Sequence, residues 1–173
     1  YISEWLSKNF SNSKISYVPL ITEIKKTKQN LRKKLKIKKN NLVFGCYGGE
    51  SSFDLKFAQS AIIDIVNKRK DIEFIFLNIK KFYKHRQIQF LKGTLNDNYK
   101  KKFINSCDAM LYGRSLGESF GLSCGEFALG DKMIISYKFN RHRAHCYNIS
   151  PKNFIEYYSY NSLKYLFEKN GLK

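Results

Sequence analysis

Residues 42–49 read Leu42-Val43-Phe44-Gly45-Cys46-Tyr47-Gly48-Gly49; apolar residues at helical spacing follow over 55–66, and a second apolar run follows over 72–79. Strand, glycine turn, helix and strand in that order make a parallel βαβ unit. The punctuation repeats downstream. It predicts a third strand over 87–91, a helix over 96–107 with Tyr99, Phe103 and Ile104 facing inward, and a fourth strand over 109–112. A helix over 121–129 closed by Gly130 and a fifth strand over 132–136 complete the series. Nearly continuous apolar strands separated by helices imply a sheet covered on both faces: an α/β, doubly wound, mainly parallel, Rossmann-like fold. Right-handed crossovers then place a ligand at the carboxyl ends of the strands, which selects the loops 47–54, 91–96, 112–120 and 136–146.

The flanks read differently. Ile2, Trp5 and Leu6 predict a helix over 1–10, and Ile15-Ser16-Tyr17-Val18 a short strand ended by Pro19. Over 23–40, Lys25, Lys26, Lys28, Arg32, Lys33, Lys34, Lys36, Lys38 and Lys39 alternate with Ile24, Leu31, Leu35 and Ile37, the pattern of a short amphipathic helix with a solvated basic face. After Pro151, the residues Phe154, Ile155, Tyr157, Tyr158, Leu163, Leu166 and Phe167 predict one or two packing helices over 151–173.

With 173 residues, 43% hydrophobic, two prolines and ten glycines, the chain has the composition of one globular domain. It is long enough to bury roughly 70% of its unfolded surface, so folding requires neither disulfides nor a structural metal. Its apolar runs fall far short of the ~20 residues that a membrane-spanning helix needs. Cys46, Cys107, Cys124 and Cys146 are scattered without a C-x-x-C pair, which argues against a metal site and for a reduced, cytoplasmic setting. The chain begins at Tyr1 and shows no signal-peptide pattern, so a piece of a longer protein is expected. The net charge of +18 points to nucleic acid, to a peripheral anionic membrane contact through the basic face, or to a phosphorylated ligand. A blander source competes with all three, because Lys, Asn, Ile, Tyr and Phe share A/T-rich codons.

Two segments can carry chemistry. Gly45 to Ser52, with Gly48-Gly49 at its centre, is a glycine-rich turn before a helix, where backbone N–H groups can cradle a phosphate. It has neither dinucleotide spacing nor the lysine of a P-loop. The second segment, Asp108-Ala109-Met110-Leu111-Tyr112-Gly113-Arg114-Ser115-Leu116-Gly117-Glu118-Ser119-Phe120-Gly121-Leu122-Ser123-Cys124-Gly125-Glu126-Phe127-Ala128, runs from a buried strand through a polar loop into a helix. A helix starting at Glu118 and Ser119 would use them as caps. At 100° per residue, Glu126 would then lie about 20° from Ser119 and face the same cleft. A carboxylate among Leu122, Cys124, Phe127 and Ala128 needs a partner, and a polyol such as ribose would supply one.

This segment resembles the nucleotide-sugar-binding, C-terminal half of retaining glycosyltransferases of the two-Rossmann-domain (GT-B) architecture, group 1 or E-x7-E type. Glu118 and Glu126 bracket Phe120-Gly121-Leu122, with an Asp-x-Met-Leu strand before them and an apolar strand after. The likeness spans roughly residues 15–140, and its specific part is 108–136. It implies a tail and hinge over 1–19 entering at Tyr17-Val18-Pro19, a nucleotide-sugar domain over 20–150, and C-terminal packing helices over 151–173.

The resemblance further implies that Glu118, the catalytic residue, holds hydroxyls of the donor sugar. Ser119 and the amides of Phe120, Gly121 and Leu122 would face sugar and diphosphate, Glu126 the ribose, and Gly48-Gly49 the diphosphate from the other side. Phe90-Leu91-Lys92-Gly93 would meet the base. The implied partners are a nucleotide-sugar, an acceptor that is a glycan, protein or lipid, and an N-terminal domain, with neither metal nor cofactor. One departure stands out: the family's Arg and Lys after the glycine loop are replaced by Gly49-Glu50-Ser51-Ser52-Phe53-Asp54, which leaves Arg114 or Lys92 to compensate. His142 and His145 offer a metal pair or acid–base dyad as a minor alternative. A basic nucleic-acid-binding module and a degenerate transferase fold kept for interaction are the rival functions, although the first leaves Glu118 and Glu126 without a role.

Overall fold

The computed structural model describes residues 28–147 and 149–169. The helix expected over 1–10 and the hinge at Tyr17-Val18-Pro19 lie outside them. In chain order the elements are β1 (Leu42–Tyr47), α1 (Lys56–Lys68), β2 (Ile72–Leu77), β3 (Ile88–Leu91), α2 (Asp97–Ser106), β4 (Ala109–Tyr112) and β5 (Gly117–Glu118). They continue as α3 (Leu122–Leu129), β6 (Met133–Tyr137), β7 (His142–Arg143), α4 (Ala144–Tyr147), β8 (Phe154–Tyr157) and α5 (Tyr160–Glu168). Six strands form one parallel sheet in the order β3-β2-β1-β4-β6-β8, and β5 pairs with β7 beside it. Chain order reverses between β1 and β4, so the crevice of this Rossmann-like fold opens at their carboxyl ends.

The central strands are apolar because both of their faces are covered. Every residue of β2 is buried, and its one acid, Glu73, is held by Asn41, whose Nδ2 donates to Oε1 at 3.0 Å. Burial still pushes that carboxyl above the ordinary glutamate range. Phe44 of β1 stacks on Phe74 of β2 at 5.3 Å, and Phe167 of α5 meets both edge-on at 5.1 and 5.4 Å. Truncating such a ring to alanine costs about 3–5 kcal/mol. Cys46, Cys107 and Cys124 are buried and unpaired, and burial pushes the Cys46 thiol up to about 12, so they behave as small hydrophobes.

Two expectations are corrected. The described residues after Pro151 are not helices alone: Phe154–Tyr157 forms β8, the edge strand beside β6, and Tyr160–Glu168 is the one α-helix among them. Tyr157 fixes it there, its buried hydroxyl donating across β6 to the Tyr112 carbonyl at 2.9 Å. The described part of 23–40 is a pair of turns, the larger over 32–36, and not an amphipathic helix. Leu35 N bonds Leu31 O, Ile37 N bonds Arg32 O, and Lys36 at φ 55° ends the turn in the left-handed region. Arg32 fastens this turn to the sheet by donating to the carbonyls of Ser106, Lys39 and Asn41 and to Asp108.

Candidate functional site

The loop after β1 is a closed turn. Ser52 donates its N–H and its hydroxyl to the Gly49 carbonyl, and a Cβ on Gly48 would fall 2.3 Å from Ser52 Oγ. Asn78, at φ 59° beyond β2, donates Nδ2 to the Gly48 carbonyl at 2.8 Å. Gly93, beyond β3, lies against that same amide, where a Cβ would come within 2.7 Å of Oδ1. Asn78 thus joins the carboxyl ends of β1, β2 and β3 and sets Gly48, Gly49 and Lys92 along one edge, with Gly49 and Lys92 exposed.

The loop after β4 is clamped from two sides. From the β1 side, the Asp54 and Leu55 amides donate to the Gly113 carbonyl, and the Asp54 carboxylate accepts from Ser115 N and Oγ, both at 2.7 Å. Phe53 fills the space beneath Gly113, where a Cβ would meet its ring at 2.6 Å. From the β6 side, Asn140 donates to the Arg114 carbonyl and His142 N to the Leu116 carbonyl. The stretch 49–54 therefore brings a structural acid where the resemblance expects cations. Sequence reasoning missed Asp54 and Asn140, because nothing in their spacing announces a partner sixty-one or twenty-six residues away. Asp54→Ala is expected to cost about 1 kcal/mol and to speed hydrogen exchange at the Ser115 amide; exchange unchanged from wild type would refute the clamp.

Glu118 is not at a helix start. It ends β5, whose pairing with β7 requires glycine before it, since Gly117 has φ 76° and a Cβ there would lie 1.9 Å from the His142 carbonyl oxygen. Glu118 Oε1 accepts from Arg114 Nη1 at 2.8 Å and from Tyr112 OH at 3.2 Å. Arg114 is thus engaged by Glu118 and does not stand free for a phosphate. The helix begins at Leu122, and its cap is Gly121 at φ 88°, held against His145, whose Cβ a Gly121 Cβ would approach to 2.4 Å. The N-cap residue of α3 is a glycine with no side chain to offer, and no acid lies in the helix's first turn. Neither Glu118 nor Ser119 is the N-cap residue, and the helical angle relating Ser119 to Glu126 does not apply because Ser119 precedes the helix. What remains is a glycine-capped helix N-terminus just after Ser119, Phe120 and Gly121, with Leu122 exposed beside it.

Glu126 lies in the second turn of α3 with its side chain 15% exposed, and among the described residues no donor hydrogen-bonds to it. Lys100 of α2 approaches to 3.9 Å, but its ammonium sits closer to Asp97 at 2.8 Å. Burial raises the Glu126 carboxyl above its ordinary range. The two glutamates therefore differ in kind: Glu118 is satisfied by its own loop, and Glu126 keeps open acceptor sites. The two histidines do not form a dyad. His145 is fully buried, its Nε2 3.0 Å from Ser136 Oγ and its ring 4.7 Å from that of Tyr112, so it supports the site from within.

No protein-family model matches the sequence, and no curated protein does. Solved structures match the fold. HepE of Anabaena, solved with UDP and glucose, is 16% identical with a TM-score of 0.62, over 80% of this chain and 40% of HepE. The C-terminal domain of LpcC, a group 1 family glycosyl transferase of Francisella tularensis, is 13% identical with a TM-score of 0.62, over 85% of this chain and 86% of that domain. A variant of TarM from S. aureus is 9% identical with a TM-score of 0.68, over 99% of this chain and 37% of TarM. The domain shares its fold with domains of glycosyltransferases and spans well under half of HepE and TarM.

Proposed function

We propose that the domain binds a nucleotide-sugar across the carboxyl ends of β1, β3 and β4, as the C-terminal donor half of a GT-B glycosyltransferase that retains anomeric configuration without a metal or cofactor. The observation that carries this is Glu126, a largely buried carboxylate that no described donor hydrogen-bonds, on the helix whose N-terminus is capped by glycine. Ribose hydroxyls would bond the carboxylate, and the diphosphate would meet the N-terminus. The HepE structures hold UDP or UDP-glucose, which supports the same ligand class here. As the sugar–phosphate bond breaks, its electron pair leaves on the diphosphate, where fixed amides of α3 and the Gly48-Gly49 turn meet the growing charge. Lys92 adds a cation, and Glu118 orients the sugar while Arg114 holds Glu118. The acceptor is a glycan, protein or lipid presented by an N-terminal domain, in the cytoplasm where such donors are made.

Calorimetric titration with UDP, GDP, ADP and their sugars tests this, and dissociation constants of tens to hundreds of micromolar, about −5 to −6 kcal/mol, are expected. Glu126→Gln should weaken the bare diphosphate by about 1.5–3 kcal/mol, roughly 10- to 150-fold. Glu118→Gln should spare the diphosphate and weaken only the sugar-bearing ligand. Silence toward all ligands at millimolar concentration would overturn the proposal, and equal losses on both ligands would overturn the assignment of roles. A second reading, a transferase fold kept for interaction, is favoured by one observation: Asp54 and not a cation occupies the loop after β1.

A further inference from the structure

The turn preceding β1 exposes Lys33, Lys34, Lys36, Lys38 and Lys39 within seven positions. The segment is built to hold them still. Leu31 and Ile37 are buried, Arg32 is tied to the Ser106 carbonyl and to Asp108, and Gln89 of β3 donates to the Leu35 carbonyl. Helix α2 lies alongside, Asn105 donating to the Gln29 carbonyl and Lys34 Nζ standing 5.7 Å from the Tyr99 ring centroid, which brings Lys101 and Lys102 onto the same face. None of the five lysines pairs with a described carboxylate. A solvated charge run that merely reflects composition has no reason to be braced this way.

We infer that this braced lysine platform docks the domain on an anionic lipid bilayer. The chemistry favours lipid over nucleic acid. The platform's cations are ammoniums, which act as hydrated point charges toward a diffuse headgroup layer, whereas Arg32, the one guanidinium, is consumed internally. A nucleic-acid face would also present stacking aromatics, and Tyr99 is half-buried with Lys34 over its ring. The apolar residues of the turn point inward, so contact is electrostatic, reversible and screened by salt. The inference is independent of the nucleotide-sugar reading.

Cosedimentation of the purified chain with phosphatidylcholine vesicles, with and without phosphatidylglycerol, tests it. Binding is expected only with the anionic lipid, and it should vanish at roughly 0.5 M salt. Each lysine near the surface contributes about fivefold to partitioning, so replacing Lys33, Lys34, Lys36, Lys38 and Lys39 by Gln should lower it more than a hundredfold at low salt. Replacing Lys56, Lys68, Lys138, Lys152 and Lys169 by Gln removes the same charge elsewhere and should lower it far less. Circular dichroism confirms that both variants fold. Equal losses in the two variants, salt-resistant binding, or tighter binding to an RNA or DNA duplex than to the anionic vesicles would each overturn the inference.

Discussion

Acidifying the domain from pH 6.5 to 4 is expected to cost about 3 kcal/mol of folding stability through His145 alone. Burial, reinforced by the nearby Arg143 guanidinium, lowers this imidazole to about 4 from 6.5. The folded state thus holds His145 neutral where the unfolded chain takes up a proton. Stability is fully present above about pH 6.5 and drains away as the pH falls toward the folded value. The surroundings offer a new proton nothing: Ser136 of β6 takes Nε2, Tyr112 of β4 and Phe154 of β8 present rings, Gly121 presents its backbone, and the nearby charge is positive. Glu73 and Glu126, raised by burial, move the opposite way, since their protonation favours the folded state. The comparison that isolates His145 is urea unfolding of wild type and His145→Gln at several pH values. The wild-type midpoint should fall more steeply between pH 6.5 and 4, and parallel curves would show the assignment to be wrong. Because His145 backs the left-handed Gly121, ligand binding at the α3 N-terminus should weaken only as the pH approaches about 4, where the folded imidazole takes its proton.

The repeating strand–helix punctuation was readable because β1, β2, β4 and β6 are buried on both faces and have few polar residues to confuse the period. Asn96 could be placed at the start of α2 for a local reason: its side chain accepts from Tyr99 N three residues on. Failures occurred where a distant contact chose the structure. Phe154-Ile155-Glu156-Tyr157 fits a helix as well as a strand by spacing, and the Tyr157 bond to the Tyr112 carbonyl, forty-five residues away, decides for the strand. Glu118 and Ser119 look like helix caps until Gly117 is pressed against His142 and Gly121 against His145. Of the site, Glu126 was legible as a polar misfit on an apolar helix. The Asp54–Ser115 clamp was not, because it joins two loops that meet only once the sheet is assembled.

Sugar transfer by these 173 residues alone should be undetectable, with at most slow donor hydrolysis. This follows from the proposed mechanism and from extent: the chain matches 40% of HepE and 37% of TarM. Within the described residues, the groups that would hold a donor lie at one open edge of one sheet, at Gly48, Gly49, Lys92, Glu118, Glu126 and the start of α3. Among the described residues, an acceptor hydroxyl has no second wall to hold it there. Positioning two reactants in one closed cleft supplies up to about 7–11 kcal/mol of a rate, and closure also keeps water from the donor. A parent chain carrying an N-terminal domain should recover transfer, with the product's anomeric configuration matching the donor's by NMR and with activity unaffected by chelators. Robust transfer by the 173 residues would refute the division of labour between domains. Chelator-sensitive activity in the parent would instead show that a metal, and not the α3 amides with Lys92, carries the leaving diphosphate's charge.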